Sequence, residues 1–121
     1  MIVLDASAIL AYLRGEPGEY LVEEALEAGA CCSAANWSET MQKTLQANRN
    51  WNAARQVLEA RDLVIEPVTT TDAEWAAAYW LSHPSLSLGD RLCLALGYRL
   101  SVPVLTADAA LGTSAGIHQI R

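Results

Sequence analysis

Short apolar runs recur along the chain, and longer stretches with helical spacing separate them. The runs that predict strands lie at residues 2–4, 30–32, 63–65 and 102–106, with an edge strand at 117–121. Each run is almost wholly apolar, as expected for strands that are covered on both faces. Strands alternating with helices in this way are typical of a three-layer α/β/α sandwich with a short, mostly parallel sheet.

The stretches between the runs carry start signals and apolar faces of helices. Ser33 is a suitable N-cap for a long helix on which Trp37, Met41 and Leu45 recur every four residues, which predicts a core-facing stripe. Residues 6–13 and 52–60 form two further predicted helices. A third has Pro17 in its first turn and an apolar stripe of Tyr20, Leu21, Ala25 and Leu26. A fourth begins with a capping box from Thr71 to Glu74, and a fifth begins at Ser87 and carries Leu92, Leu96 and Leu100.

Length and composition limit the possible classes of protein. With 121 residues, of which 52% are hydrophobic, the chain predicts a single domain over residues 1–121 with a substantial core. Three cysteines are an odd number and cannot form a disulfide framework, which favours a reducing cytoplasm. No apolar run approaches the length of a membrane span, so we expect no membrane association. The net charge of −6 excludes nucleic-acid binding through a broad basic surface.

Two acidic residues directly follow predicted strands. Asp5 ends the first run, and Asp108 lies two residues beyond the fourth, so both carboxylates are expected at the same edge of a parallel sheet. Asp90 lies in the first turn of its helix, and Glu39 follows Asn36 by one turn. Four carboxylates brought together would repel one another unless hard cations neutralised them, and Mg²⁺ or Mn²⁺ prefers such oxygen ligands.

Each acidic residue also has a purely structural explanation. Asp5 and Asp108 can cap the turns that follow them, and Asp90 completes a capping box with Ser87. Glu39 lies about 200° around an ideal helix from Trp37, so the helical pattern alone places it in solvent. Taken singly, these explanations are the simpler ones, and only the combination of motifs favours a metal site.

Four segments in register resemble the PIN domain family, and in particular its VapC toxins, the small ribonucleases of toxin–antitoxin operons. The segments are Val-Leu-Asp-Ala-Ser-Ala from position 3, Asn-Trp-Ser-Glu from 36, Leu-Ser-Leu-Gly-Asp-Arg-Leu-Cys-Leu-Ala-Leu-Gly from 86 and Val-Leu-Thr-Ala-Asp from 104. The resemblance implies the PIN-like α/β/α fold over the whole chain. It also implies an endoribonuclease that hydrolyses RNA phosphodiesters with Mg²⁺ or Mn²⁺.

The resemblance assigns roles residue by residue. Asp5, Glu39, Asp90 and Asp108 would be the catalytic acids, and the three aspartates would ligate the metal, directly or through water. The supporting side chains would be Ser7, Asn36 and Thr106. It further implies a homodimer and a VapB-like antitoxin whose C-terminal segment lies over the acidic cleft.

A segment rich in basic and amide side chains offers a place for RNA. The candidate contacts are Lys43, Arg49 and Trp51, the last as a ring on which a base can stack, together with Arg91 beside Asp90. A solvated helix pair with Trp51 partly buried explains the same pattern equally well.

Three other functions remain open at this point. Asp5 could be the nucleophile of a phosphotransfer enzyme, although the Asp-Ala-Ser turn lacks the second aspartate of haloacid-dehalogenase-like sites. The chain could also be a non-catalytic PIN-like binding module or a stand-alone RNA-processing nuclease. Metal-dependent cleavage of RNA distinguishes a nuclease, whether a toxin or a stand-alone enzyme, from a phosphotransfer enzyme and from a non-catalytic binding module.

Overall fold

The fold, described from a computed structural model for residues 1–114 and 116–121, is built on five short parallel strands. The strands are β1 Ile2–Leu4, β2 Ala30–Ser33, β3 Val64–Glu66, β4 Val104–Thr106 and β5 Ile117–Gln119. Their order across the sheet is β3-β2-β1-β4-β5, and every neighbouring pair is parallel. In the central register, Val3 lies opposite Cys31 on one side and Val104 on the other.

Helices connect the strands and cover both faces of the sheet. They are α1 Ala6–Arg14, α2 Glu19–Ala28, α3 Ala34–Gln46, α4 Trp51–Ala60, α5 Thr70–Tyr79 and α6 Leu88–Leu100, and a 3₁₀ turn spans Ala109–Leu111. None of the helices formed by the described residues is long and apolar enough to cross a membrane.

Adjacent residues of β1 show how the three layers form. Leu4 packs with Ile9 and Val22, beneath α1 and α2, whereas Val3 packs with Cys93 and Leu96, beneath α6. Because successive side chains of a strand point to opposite faces, one apolar run supplies two cores. The predicted α/β/α sandwich with a parallel sheet is therefore confirmed, and the carboxyl ends of β1 and β4 lie side by side at one edge.

The buried face of α3 differs from the predicted one. Met41 and Leu45 are exposed, whereas Asn36, Thr40 and Thr44 are buried. The two threonine hydroxyls donate hydrogen bonds of 2.7 Å to the carbonyl oxygens four residues earlier, so they are satisfied without water. These small side chains form the face of α3 that packs against α1 and α6. Met41 and Leu45 therefore lie on the exposed side of the helix.

Two predicted helix starts are also wrong by a few residues. Pro17 precedes α2, which begins after Gly18, a residue with φ of 91°. The capping box of α5 is formed by Thr69 and Asp72, not by the pair two residues later. For α5, three consecutive threonines at 69–71 could each cap the helix, and the exact first residue of a helix is the part of it that sequence predicts least well.

The apolar stripe of α2 is also shifted from the prediction. Tyr20 is 64% exposed, and the buried side chains are Val22, Ala25 and Leu26. Tyr20 lies about 200° of helical rotation from Val22, so burial of Val22 places Tyr20 on the outer face of α2.

Candidate active site

Asp5 is held at the end of β1 by three hydrogen bonds. Its Oδ1 accepts from the backbone N–H of Ala8 at 2.9 Å, which caps α1, and from the hydroxyl of Ser7 at 2.7 Å. Its Oδ2 accepts from the hydroxyl of Thr106, on β4. Asp5 therefore caps α1 and also lies at the edge of the sheet. The cap uses only part of the hydrogen-bond acceptor capacity of the two carboxylate oxygens.

Thr106 also positions Asp108. Its Oγ1 accepts from the backbone N–H of Asp108 at 2.9 Å, and the hydroxyl of Ser7 accepts from the N–H of Ala107 at 2.8 Å. The carboxylate of Asp108 caps the following 3₁₀ turn through the N–H of Ala110 at 2.9 Å. The two predicted supporting hydroxyls thus join the segments that carry the two strand-end aspartates.

Glu39 projects from α3 towards the start of α6. The side-chain amide of Asn36 donates to Glu39 Oε1 at 2.8 Å and to the carbonyl oxygen of Gly89 at 3.2 Å. Gly89 has no Cβ, and a Cβ built there would overlap Oε1 of Glu39. The face of α3 that carries Asn36 is the buried one, which is why Glu39 reaches the site despite its position on the helical wheel.

Asp90 lies in the first turn of α6, next to Gly89. Its backbone N–H donates to the hydroxyl of Ser87 at 3.1 Å, the N-cap of the helix, and its carboxylate is only partly buried. Ser87 thus supplies the hydroxyl half of the predicted capping box.

The charges of these groups act on one another. Burial raises the pKa of Asp5, against the hydrogen bonds from Thr106 and Ser7, and the charge of Asp90 raises it further. Burial also raises the pKa of Asp90, together with the charge of Asp108, while Lys43 opposes the rise. The fully buried thiol of Cys93 has a raised pKa, first through desolvation and then through Asp5, Asp90 and Glu39. The four carboxylates therefore share one electrostatic environment.

The donor set suits a hard divalent cation in its chemistry and charge. The carboxylates of Asp5, Asp90 and Asp108 interact through their charges, Glu39 and two of them act on the Cys93 thiol, and Lys43 is a basic side chain that opposes the raised pKa of Asp90. The side-chain oxygen of Asn36 is buried beside Glu39 and accepts no hydrogen bond. Excess negative charge and an unused oxygen acceptor both favour a bound cation. In the described part of the chain, however, no three acidic, histidine or cysteine side chains are close enough together to form a ready-made metal site.

Two of the predicted RNA contacts are exposed, and the other two are engaged by other parts of the fold. Lys43 and Arg49 are exposed, and Lys43 is close enough to Asp90 for its charge to act on that carboxyl. Trp51 is only 9% exposed and meets Trp37 edge to face at 5.0 Å between ring centroids, which favours the buried alternative over a base-stacking ring.

Arg91, like Trp51, is engaged by other parts of the fold. Its guanidinium donates to the carbonyl oxygens of Ala76 at 2.8 Å and Leu86 at 3.3 Å, which fastens α6 to α5 and to the loop between them. These bonds give Arg91 a structural role and use the N–H groups of Nε and Nη1, and a phosphate contact of Arg91 stays a prediction.

Three residues with positioning roles escaped the sequence analysis. Gly89 makes room for Glu39, and Gln119 donates at 2.9 Å to the carbonyl oxygens of Asp108 and Gly112, which holds the loop after β4. Arg14 donates to the carbonyl oxygen of Lys43 at 3.3 Å. Only Gly89 left a signal, as a glycine directly before a candidate ligand within a predicted helix.

Comparison with solved structures shows several that share this fold. A chain of a toxin–antitoxin complex from Klebsiella pneumoniae has a TM-score of 0.80 at 16% identity, covering 100% of this chain and 98% of that one. VapBC2 from Rickettsia felis, bound to a DNA fragment from its promoter, gives 0.75 at 11% identity, with 98% of each chain covered. VapC20 from Mycobacterium tuberculosis, a toxin that cleaves the sarcin–ricin loop, gives 0.68 at 16% identity, with 88% of each chain covered.

Sequence comparison identifies the family. No curated protein matches the chain at a significant level. The family profile of the PIN domain matches residues 2–114, which include all four carboxylates and almost the whole chain. The chain therefore belongs to the PIN domain family.

Proposed function

We propose that this chain is a metal-dependent endoribonuclease that acts as the toxin of a toxin–antitoxin pair. The observation that carries the proposal is that Thr106 joins Asp5 to the segment of Asp108 in a PIN domain, while the charge of Asp90 interacts with both carboxylates. The candidate catalytic acids are Asp5, Glu39, Asp90 and Asp108. The solved structures that share the fold support it, since they include a toxin that cleaves the sarcin–ricin loop and toxin–antitoxin complexes.

Asp5, Asp90 and Asp108 would hold Mg²⁺ or Mn²⁺, in part through water, because the described side chains do not form a compact three-ligand site. When bound, such an ion supplies positive charge for the scissile phosphate and lowers the pKa of a coordinated water. Hydrolysis forms a bond from the water oxygen to phosphorus and breaks the phosphorus–oxygen bond to the leaving strand. One RNA end keeps the phosphate and the other gains a hydroxyl.

The chain's own groups prepare this reaction by holding the acids in place. Ser7 and Thr106 fix both oxygens of Asp5 through donated hydrogen bonds. Asn36 holds one oxygen of Glu39 and leaves the other free to accept a hydrogen bond from the attacking water. A proton held at Glu39 would then be returned to solvent after cleavage.

The proposal extends to partners and location. The solved structures that share its fold include VapBC complexes, which supports a small VapB-like antitoxin as the partner. We propose that this antitoxin holds the chain inactive and that the chain forms a homodimer. It would act in the cytoplasm on RNA, which agrees with three cysteines that are all free and buried.

Cleavage of RNA tests the enzymatic part directly. Purified protein is incubated with total RNA in Mg²⁺ or Mn²⁺, and new ends are mapped by sequencing. We expect discrete cuts that EDTA and Asp5→Asn abolish. Asp62→Asn is the matched control, because Asp62 is exposed and its φ of 57° suits asparagine. Cuts that persist in Asp5→Asn would contradict the assignment.

Expression in growing cells tests the toxin part separately. The wild-type chain should arrest growth, Asp5→Asn should not, and co-expression of the small reading frame next to the gene should restore growth. An active nuclease that leaves growth unaffected would instead be a stand-alone processing enzyme.

A further inference from the structure

The basic side chains of this acidic chain differ in whether they pair with a carboxylate. Four arginines form ion pairs: Arg55 with Glu59, Arg61 with Glu23, Arg99 with Asp72 and Arg121 with Glu16. Among residues 1–114 and 116–121, the basic side chains that meet no carboxylate are Arg14, Lys43, Arg49 and Arg91. Arg91 is set apart from the other three because its guanidinium is held by the carbonyl oxygens of Ala76 and Leu86.

These three cations lie together. The guanidinium of Arg14, in the last turn of α1, donates to the carbonyl oxygen of Lys43 on α3 at 3.3 Å. Arg49 follows α3 and is held by a backbone hydrogen bond of 3.0 Å to Thr44. Arg14 and Arg49 line the same open groove, which has a volume of about 350 Å³. Within the described residues, a chain with a net charge of −6 thus places in one area three of the four basic side chains that pair with no carboxylate.

The groove is lined by both apolar and basic side chains. Leu10, Leu13 and Val57 line it together with the two arginines, and Asn50, the residue after Arg49, adds an amide. Within the described chain, no acidic residue lines it. A flat, partly apolar group with an attached negative charge, such as a nucleobase with its phosphate, matches this combination of surfaces.

The cations lead away from the carboxylates. Lys43 lies four residues after Glu39 on α3, which places the two side chains one helical turn apart on the same face. They form no ion pair, so the ammonium group is open to a ligand. Arg14 contacts the backbone of Lys43 and lines the groove together with Arg49. A polyanion cleaved beside Glu39 would meet Lys43 first and then the groove.

We propose that Arg14, Lys43 and Arg49 form a phosphate track that binds the single-stranded RNA segment next to the cleavage site, with a base seated in the groove. The inference rests on the proposed function only for where the cut occurs. RNA is favoured over a protein helix because Lys43 acts on Asp90 and its backbone contacts Arg14, so one polyanion can reach both the carboxylates and the groove, and because none of the three cations pairs with a carboxylate.

Binding of a short fluorescent oligoribonucleotide of mixed sequence tests the track. Fluorescence anisotropy is measured in EDTA over a salt series, so that no variant cleaves the probe. The variants are Arg14→Gln, Lys43→Gln, Arg49→Gln and their triple combination. Arg55→Gln and Arg121→Gln are matched controls, because they remove the same charge from side chains that are paired with glutamates.

We expect each track variant to reduce the slope of log affinity against log salt by about 0.7, and the triple variant by about 2, the value for single-stranded phosphate contacts. The controls should leave the slope unchanged. A triple variant that binds like the controls, or a wild-type chain that binds no RNA, overturns the proposal.

The same variants separate this inference from the proposed function. If Mg²⁺-dependent cleavage is absent while the slopes change as expected, the nuclease assignment fails and the track stands. If cleavage occurs and the triple variant binds normally, the track fails alone. A synthetic amphipathic helix with leucines on one face and glutamates on the other serves as a second probe. If it needs the three cations for binding and RNA does not, the groove is a protein-docking site and the proposal is overturned.

Discussion

Glu39 places its carboxylate directly over Gly89, in the space that the Cβ of any other residue would occupy. The side-chain amide of Asn36 bridges the two, since it donates both to Glu39 and to the carbonyl oxygen of Gly89. The position of one candidate catalytic acid thus depends on a missing methyl group on a different helix.

Gly89→Ala should therefore separate activity from stability. The new methyl group displaces the flexible end of Glu39, which costs little, and alanine favours the helix by about 0.5–1 kcal/mol. We expect a folded protein with a melting temperature equal to or above that of the wild type. RNA cleavage should fall by about 10- to 100-fold, as for loss of a group that orients a ligand.

Gly97→Ala is the matched comparison on the same helix. A methyl group there meets the side chain of Val104 and the carbonyl oxygen of Val102, far from the carboxylates. It should lower stability and leave the activity of the folded protein unchanged. Equal losses of activity in both variants would show that Glu39 does not depend on Gly89.

Asp5→Asn should make the protein more stable at neutral pH while it abolishes cleavage. Burial first, and then the charge of Asp90, raise the pKa of Asp5 above its ordinary value of 3.8, so folding disfavours its ionised form. Its contribution to stability is present below the ordinary value and is lost as the pH rises through the folded pKa. Asparagine retains an acceptor for the Ala8 N–H and has no charge to lose.

Thermal unfolding across a pH series measures this effect without metal. The gap in melting temperature between Asp5→Asn and wild type should be largest near neutral pH and close as the solution becomes acidic. Added Mg²⁺ should stabilise the wild type by about 2.7 kcal/mol at a concentration one hundred times its Kd, and the variant much less. A variant that is less stable than the wild type at every pH would refute the electrostatic reasoning.

Much of the fold could be predicted because its signals are local. The apolar runs around Val3 and Val104 mark strands covered on both faces, and Ser33 and Ser87 cap helices as their sequence contexts indicate. Once the strands are parallel, the residues that follow them share an edge of the sheet. The nearness of Asp5 to the Asp108 segment follows from that geometry alone.

The rest depends on which face of a helix the tertiary structure buries. Thr40 and Thr44 look solvent-exposed in the sequence, yet each satisfies its hydroxyl on its own helix and packs in the interior. The larger Met41 was expected inside and is exposed. The burial of the face that carries Asn36 also turns Glu39 towards the start of α6, so the hydrophobic pattern of α3 could not predict the position of Glu39. The role of Gly89 needs the distance between two helices, which sequence does not contain.

Trp51→Ala should destabilise the protein and leave RNA contacts alone. The Trp51 ring is buried against Trp37 at the start of α4. Its removal should cost about 3–5 kcal/mol in the free energy of unfolding. Trp80→Ala is the control, because Trp80 is 50% exposed and its loss should cost about 0.5 kcal/mol or less. Denaturant titration measures both, and a stable Trp51→Ala protein with weakened RNA binding would restore the stacking role.

The ion pair of Asp72 with Arg99 should give the fold a measurable sensitivity to acid. The guanidinium contacts both carboxylate oxygens, at 2.9 and 3.2 Å, and the Asp72 side chain is only 4% exposed. Burial alone would raise the pKa of Asp72, but the hydrogen bonds from Arg99 and from the Thr69 N–H outweigh it and lower the pKa below 3.8. The stabilisation is therefore present above that value and lost as the pH falls through the folded pKa. Asp72→Asn should cost about 1.5–3 kcal/mol at neutral pH, the range for hydrogen bonds to charged groups.

Urea unfolding at neutral pH and at about pH 3 checks this sign, since protonation then removes the charge that the variant lacks. The difference between Asp72→Asn and wild type should shrink in acid. Glu74→Gln, an exposed change on the same helix, should have little effect at either pH. Because Arg99 keeps a contact of 3.4 Å to the carbonyl oxygen of Pro67, its side chain stays near the site in the variant, and the measured loss reports the carboxylate. A difference that stays constant between the two conditions would mean that Asp72 acts through the capping of α5 and not through its charge.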